Sequence, residues 1–128
     1  MTQTGEKARI TGYRDLRAWQ EARLLVKAVY LATKSFPKDE LYGLTQQVRR
    51  AAVSVPSNIA EGYGRGTRKD YVRFLQMARG SLYEVQCQVL LAEDLGYLAV
   101  AASAALHSQV ERCSMLLHGL LRSLTDEK

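Results

Sequence analysis

Proline and cysteine are scarce in this sequence, with 2 of each among 128 residues. Pro37 and Pro56 leave long stretches free to be helical. Cys87 and Cys113 make no disulfide framework and show no CxxC spacing. Low-complexity tracts and Pro- or Ser-rich linkers are missing, which points to one domain with one core. The longest nearly apolar run, Leu98 to Leu106, falls far short of the roughly 20 residues that span a bilayer. Residues 1–12 are polar and mixed in charge, without the basic start and apolar stretch of a signal peptide, and are expected to be flexible. A reduced, cytoplasmic setting with no membrane fits these absences.

What is present is an ordinary globular composition, 47% apolar and 24% charged, with an uneven charge. The net charge is +5. Residues 1–70 hold 13 lysines and arginines against 7 acids, whereas residues 71–128 hold 5 against 6. A basic half suggests an acidic partner, of which nucleic acid is the commonest; the plain alternative is a solvated surface.

No alternating β-branched run is flanked by turn residues, and apolar residues recur instead at spacings of three and four. The first helix is expected over Tyr13 to Ser35, with Leu16, Trp19, Ala22, Val26, Val29 and Thr33 inward and Asp15 at its positive end. Phe36-Pro37-Lys38-Asp39 breaks it. A second helix is expected over Glu40 to Gly62, with Leu41, Leu44, Val48, Ala51, Ala52, Val55 and Ile59 inward and a kink before Pro56. Gly62, Gly64 and Gly66 form the next turn. Thr67 and Asp70 make a capping-box variant that starts a third helix, whose Tyr71, Phe74, Leu75, Ala78, Leu82, Val85, Val89 and Ala92 continue to Gly96. Leu106, Val110, Cys113, Leu117, Leu120 and Leu124 form the seam of a fourth. Short connections predict an all-α, up-down-up-down antiparallel four-helix bundle.

The third and fourth helices carry more apolar surface than one seam needs. Val72, Met77, Leu90 and Leu91 lie beside the first of these seams, and Val100, Met115, Leu116 and Leu121 beside the second. Faces that wide predict either contact with two neighbours or a homo-oligomer.

Catalysis needs a nucleophile–base pair, paired carboxylates or a metal cluster. His107 and His118 share a face but stand roughly 16 Å apart at 1.5 Å per residue, too far to ligate one metal. Cys87 and Cys113 sit beside apolar neighbours and read as small hydrophobes. Glu93-Asp94 has no histidine near it. Gly62-Tyr63-Gly64-Arg65-Gly66 lacks the preceding strand and GK[ST] ending of a phosphate loop. It does precede a helix N-terminus with Arg65, Arg68 and Lys69 around it, an arrangement able to hold one phosphate; a plain interhelical turn is the alternative. Of Arg49 and Arg50, which point about 100° apart on a helix, one is expected to face solvent and the other a neighbouring helix or subunit. Asn58 and Glu61 share a face near Pro56 and could satisfy freed backbone groups. No catalytic residue, cofactor, metal or small-molecule substrate is expected, and the chain is not read as an enzyme.

Leu41-Tyr42-Gly43-Leu44-Thr45 and the run Arg49-Arg50-Ala51-Ala52-Val53-Ser54-Val55-Pro56-Ser57-Asn58-Ile59-Ala60-Glu61-Gly62 carry a resemblance. With Trp19, Phe36-Pro37, Gly64-Arg65, Gly80-Ser81-Leu82 and Leu95-Gly96-Tyr97, the sequence resembles the bacterial four-helix-bundle family encoded in intervening sequences of large-subunit ribosomal RNA genes. What the resemblance implies is a bundle that assembles into a homopentamer. That family is remotely similar to the accessory protein of diversity-generating retroelements, a basic pentamer that binds nucleic acid. For most of the family no biochemical activity is implied.

Two functions follow as expectations. One is a nucleic-acid-binding homo-oligomer that contacts RNA or DNA through Arg49, Arg50, Arg65, Arg68 and Lys69, with little sequence preference because phosphates carry no base information. The other is a protein-interaction scaffold whose charge is incidental.

Overall fold

The computed structural model describes residues 9–125. Within them the chain forms four α-helices: α1 Arg17–Thr33, α2 Leu44–Tyr63, α3 Arg68–Asp94 and α4 Val100–Thr125. Short 3-10 turns at Tyr13–Asp15 and Lys38–Glu40 precede α1 and α2, and no strand occurs among the described residues. Each helix packs on its two ring neighbours, α1 on α2 and α4, and α3 on α2 and α4, while the diagonal pairs keep their backbones apart. The result is the four-helix bundle that the periodicity predicts.

The helices start where local hydrogen bonding permits, which shifts two expected boundaries. α1 begins at Arg17 rather than Tyr13, because Leu16 is extended (φ −75°, ψ 127°) and separates it from the 3-10 turn. Asp15 therefore does not serve the positive end of α1; its Oδ2 accepts from the amide and hydroxyl of Thr11 at 2.8 and 2.9 Å. Those bonds hold the Asp15 carboxyl below the usual carboxylate range. Residues 1–8 of the lead expected to be flexible lie outside the described residues. α2 begins at Leu44 rather than Glu40, whose Oε1 instead accepts from the Leu44 amide at 3.0 Å and caps the helix from four residues upstream.

The core is aliphatic. Leu25, Ile59, Leu75 and Leu117 are its largest fully buried side chains, filled in by Val29, Val55, Val85 and Val89. α3 buries Leu75, Ala78, Leu82, Val85, Val89 and Ala92 as expected, with Tyr71 and Phe74 at the margin. On α2, Val48, Ala51, Ala52, Val55 and Ile59 face inward, but Leu41 is exposed because it precedes the helix. Along α1, Leu16, Ala22, Val29 and Thr33 are buried as expected, Ala18 and Leu25 join them, and Trp19 and Val26 lie at the edge. The Trp19 indole sits too wide for the seam and packs against Tyr13, centroids 5.2 Å apart, with Arg23 5.5 Å from its ring centre. On α4, Leu121 is buried where a lateral position was expected, and Leu120 and Leu124 are half-buried.

α2 continues through Pro56 and through Gly62, which belongs to the helix rather than to the turn. A Cβ on Gly62 would stand 2.8 Å from Phe74 Cβ and 3.2 Å from the Tyr71 carbonyl oxygen, so glycine lets α2 and α3 close together there. α3 ends at Asp94 and is closed by a Schellman motif around Gly96 (φ +79°): Tyr97 N donates to the Ala92 carbonyl at 2.9 Å and Gly96 N to the Glu93 carbonyl at 3.0 Å.

A part-buried polar contact joins α2 and α3. The Ser54 and Ser81 hydroxyls lie 2.8 Å apart, and Asn58 Nδ2 donates to the Ser54 carbonyl and hydroxyl at 2.9 Å each.

Candidate nucleic-acid interface

α1 and α2, which both lie in the basic half of the sequence, pack as neighbours. Arg17, Arg23, Lys27 and Lys34 are all exposed along and just beyond α1. The one acid of that helix, Glu21, is taken up by α4: its Oε1 accepts from Gln109 Nε2 at 2.8 Å and stands 3.6 Å from Arg112 Nε. Leu24 and Leu31 are exposed between these cations.

Arg49 and Arg50 divide as their geometry requires. Arg49 turns to α1, where its Nε donates to Thr33 Oγ1 at 2.8 Å and its guanidinium lies 4.7 Å from the centre of the Tyr30 ring. Thr33 passes that bond on to the Val29 carbonyl at 2.8 Å. Arg50 is exposed and has no ion pair among the described residues. It stands on a ridge with a groove on either side. One, between α1 and α2, measures ≈ 460 Å³ and is lined by Tyr30, Leu41, Tyr42, Thr45, Gln46 and Arg49 as well as Arg50. The other, between α2 and α3, measures ≈ 330 Å³ and includes Gln47, Ser54, Glu84 and Gln88.

Arg65, Arg68 and Lys69 lie at the far end of α2, about 22 Å away at 1.5 Å per residue, so the five expected cations do not form one cluster. Arg65 is held inside its own turn. Its NH1 meets Glu61 Oε2 at 3.2 Å, its Nε stands 3.9 Å from Asp70 Oδ2, and its guanidinium lies 5.2 Å from the Phe74 ring centre. Thr67 caps α3 by accepting from the Asp70 amide at 3.2 Å. The Asp70 carboxylate points to Arg65 and Arg73, the latter at 3.6 Å. Two carboxylates thus offset the positive charge of this turn. Arg68 and Lys69 are exposed beside it. Asn58 and Glu61 do not act together: Asn58 braces Ser54, whose carbonyl lies one turn below, and Glu61 pairs with Arg65.

Three features of the surface escaped the reading of the sequence. Tyr42 is 84% exposed at the mouth of the α1–α2 groove, and Thr45 on its floor is 3% exposed with its hydroxyl unpartnered. A third groove of ≈ 200 Å³ between α3 and α4 collects Arg79, His118 and Arg122. Nothing in the spacing of these residues along the sequence announces the grooves.

The remaining candidates take bland positions. Cys113 is buried, and burial pushes its thiol up to about 12; Cys87 is exposed rather than buried, because it falls on the outer face of α3. Burial likewise pushes the Tyr71 phenol, beside Tyr63, up to about 12. His118 is exposed, and His107 is half-buried with its Nε2 unpartnered. Among the described residues no group of three or more His, Cys, Asp or Glu is placed to hold a metal ion, and no helix is long and apolar enough to cross a membrane.

Four antiparallel helices around one aliphatic core define a small helical-bundle protein. Its relatives are legible at the level of family. Residues 14–119 match the profile of the 23S rRNA-intervening sequence protein family, and the chain belongs to it. No curated protein matches the chain.

Proposed function

We propose that the protein is a non-catalytic helical bundle that assembles with copies of itself, five by resemblance to its family, and holds nucleic acid through phosphate contacts on the α1–α2 side. The observation that carries the reading is that α1 and α2 pack as neighbours while Arg17, Arg23, Lys27, Lys34 and Arg50, on or just beyond them, are exposed. Repeated around an oligomer, each such surface adds weak phosphate contacts whose combined affinity exceeds that of any one. The exposed Cys87 thiol suits a reducing, cytoplasmic compartment.

The test is binding of a labelled oligonucleotide by the purified chain at about 50 mM salt, repeated as salt is raised. Affinity that falls linearly on a log–log plot supports the reading. No salt-sensitive binding overturns it.

A second reading has its own observation. Val100 and Met115 on α4 are 72% and 74% exposed, with Met77, Leu90 and Leu91 exposed on α3. Such surface suits a protein partner, either a second copy or another chain. Capture of a defined partner that survives nuclease treatment favours the scaffold, and a 14 kDa species in analytical ultracentrifugation removes the self-assembly.

A further inference from the structure

We infer that the groove between α1 and α2 is a nucleotide site, which takes one unstacked base together with its phosphate. The inference deepens the nucleic-acid reading by naming the class, single-stranded over duplex, and the groove that receives it.

The groove measures ≈ 460 Å³, within the range of sites that hold small ligands. Its lining contains two arginines and no carboxylate. Arg49 is fixed from two sides, by Thr33 at 2.8 Å through Nε and by the Tyr30 ring at 4.7 Å. Its two terminal nitrogens stay available as donors, and a guanidinium already held in place loses little freedom when it meets a phosphate. Arg50 stands at the rim without an ion pair among the described residues. Glu40, close in sequence, is occupied by the Leu44 amide and the Tyr97 hydroxyl.

The apolar half of the ligand has its own receiver. Tyr42 is 84% exposed, and among the described residues its ring has no aromatic or cationic partner. A base laid on that face gains stacking, and stacking tolerates any base. On the floor, Thr45 is 3% exposed and its hydroxyl has no partner. Gln46 adds an amide at the margin. Anion donors and a bare aromatic face together match a base with its phosphate better than phosphate alone. A duplex keeps its bases stacked inside and cannot offer this unit without unstacking.

The unit can come from a single strand or from a free nucleotide, and the test separates them. Full-length protein is titrated with a labelled 12-nucleotide single strand, with the same strand annealed to its complement, and with AMP followed by NMR. Variants Tyr42→Ala, Tyr42→Phe and Arg50→Ala are compared with Lys27→Ala, which lies outside the groove. The expected result is a single-strand preference that Tyr42→Ala weakens roughly 5- to 100-fold, that Tyr42→Phe retains, and that Lys27→Ala alters only as far as it alters duplex binding. Arg50→Ala weakens both strand forms. AMP shifts in Tyr42, Thr45 and Arg49 that vanish in Tyr42→Ala, without any strand preference, support a free nucleotide as the ligand. Equal, Tyr42-independent binding of both strand forms without AMP shifts overturns the groove and leaves the nucleic-acid reading standing. Absence of oligonucleotide binding removes that reading, and the groove then stands if AMP shifts these residues and falls if it does not.

Discussion

Tyr97 donates its hydroxyl to Glu40 Oε2 over 2.8 Å, joining the α3–α4 connection to the α1–α2 connection across 57 residues of sequence. Phe36 adds a ring contact with Tyr97, centroids 5.5 Å apart, so both connections at this end of the bundle close on one another.

That bond has a defined pH window. The Leu44 amide and the Tyr97 hydroxyl hold the Glu40 carboxyl below its ordinary 4.5, and the bond to Glu40 holds the Tyr97 phenol above its ordinary 10.0. A depressed carboxyl contributes stability above its unfolded pKa and loses it as pH falls through the folded value. A raised phenol contributes below its unfolded pKa and loses it as pH rises through the folded value. The expected outcome is that Tyr97→Phe lowers the melting temperature at pH 7, and that this difference narrows on acidification well below pH 4.5. Thermal melts of both proteins across pH read it directly.

Two glycines inside helices should respond to alanine with opposite signs. Gly62→Ala drives a Cβ to 2.8 Å from Phe74 Cβ and 3.2 Å from a backbone carbonyl, so it should destabilise by about 1–3 kcal/mol despite alanine's helix preference. Gly80→Ala meets nothing within 4 Å on α3 and should stabilise by about 0.4–1 kcal/mol. Urea midpoints give both signs.

The two cysteines should separate in reactivity. Cys87 is exposed, whereas Cys113 is buried with its thiol pushed up to about 12. An aromatic disulfide reagent should titrate one thiol in the native protein and both in denaturant. Prompt modification of both under native conditions would contradict the packing of α4.

Arg49 and Arg50 should part company in stability. Arg49→Ala removes a charged hydrogen bond and a cation–π contact, and should cost about 1–3 kcal/mol. Arg50→Ala touches neither and should stay within about 0.5 kcal/mol. Binding should show the converse emphasis, with Arg50→Ala losing affinity in a fully folded protein, measured beside its unfolding curve.

Much of this fold was legible in the sequence because α3 and α4 repeat their seams at near-heptad steps, and because Pro37 and Gly96 stop helices for local reasons. Along α1 the spacing placed Leu16, Ala22, Val29 and Thr33 inward correctly, but it also put Trp19 and Val26 there, where Ala18 and Leu25 complete the buried face instead. The late starts of α1 and α2 depend on hydrogen bonds to Asp15 and Glu40 that compete with helix propensity. Within the candidate interface the division between Arg49 and Arg50 followed from helix geometry. The groove did not, since Tyr30 and Thr45 come together only when α1 and α2 pack, and Tyr42 becomes a bare ring only because the helix starts after it.

The Ser54–Ser81 contact has a consequence for alignment. Leu75, Leu82 and Val89 stand seven residues apart, as do Ala78, Val85 and Ala92, so α3 could slide one heptad along α2 and present nearly the same aliphatic surface. The serine could not. A slip in one direction would put Phe74 opposite Ser54, and in the other Gln88. Beside the close approach of Gly62 to Phe74, the hydroxyl pair braced by Asn58 therefore favours the observed register over a slip of one heptad.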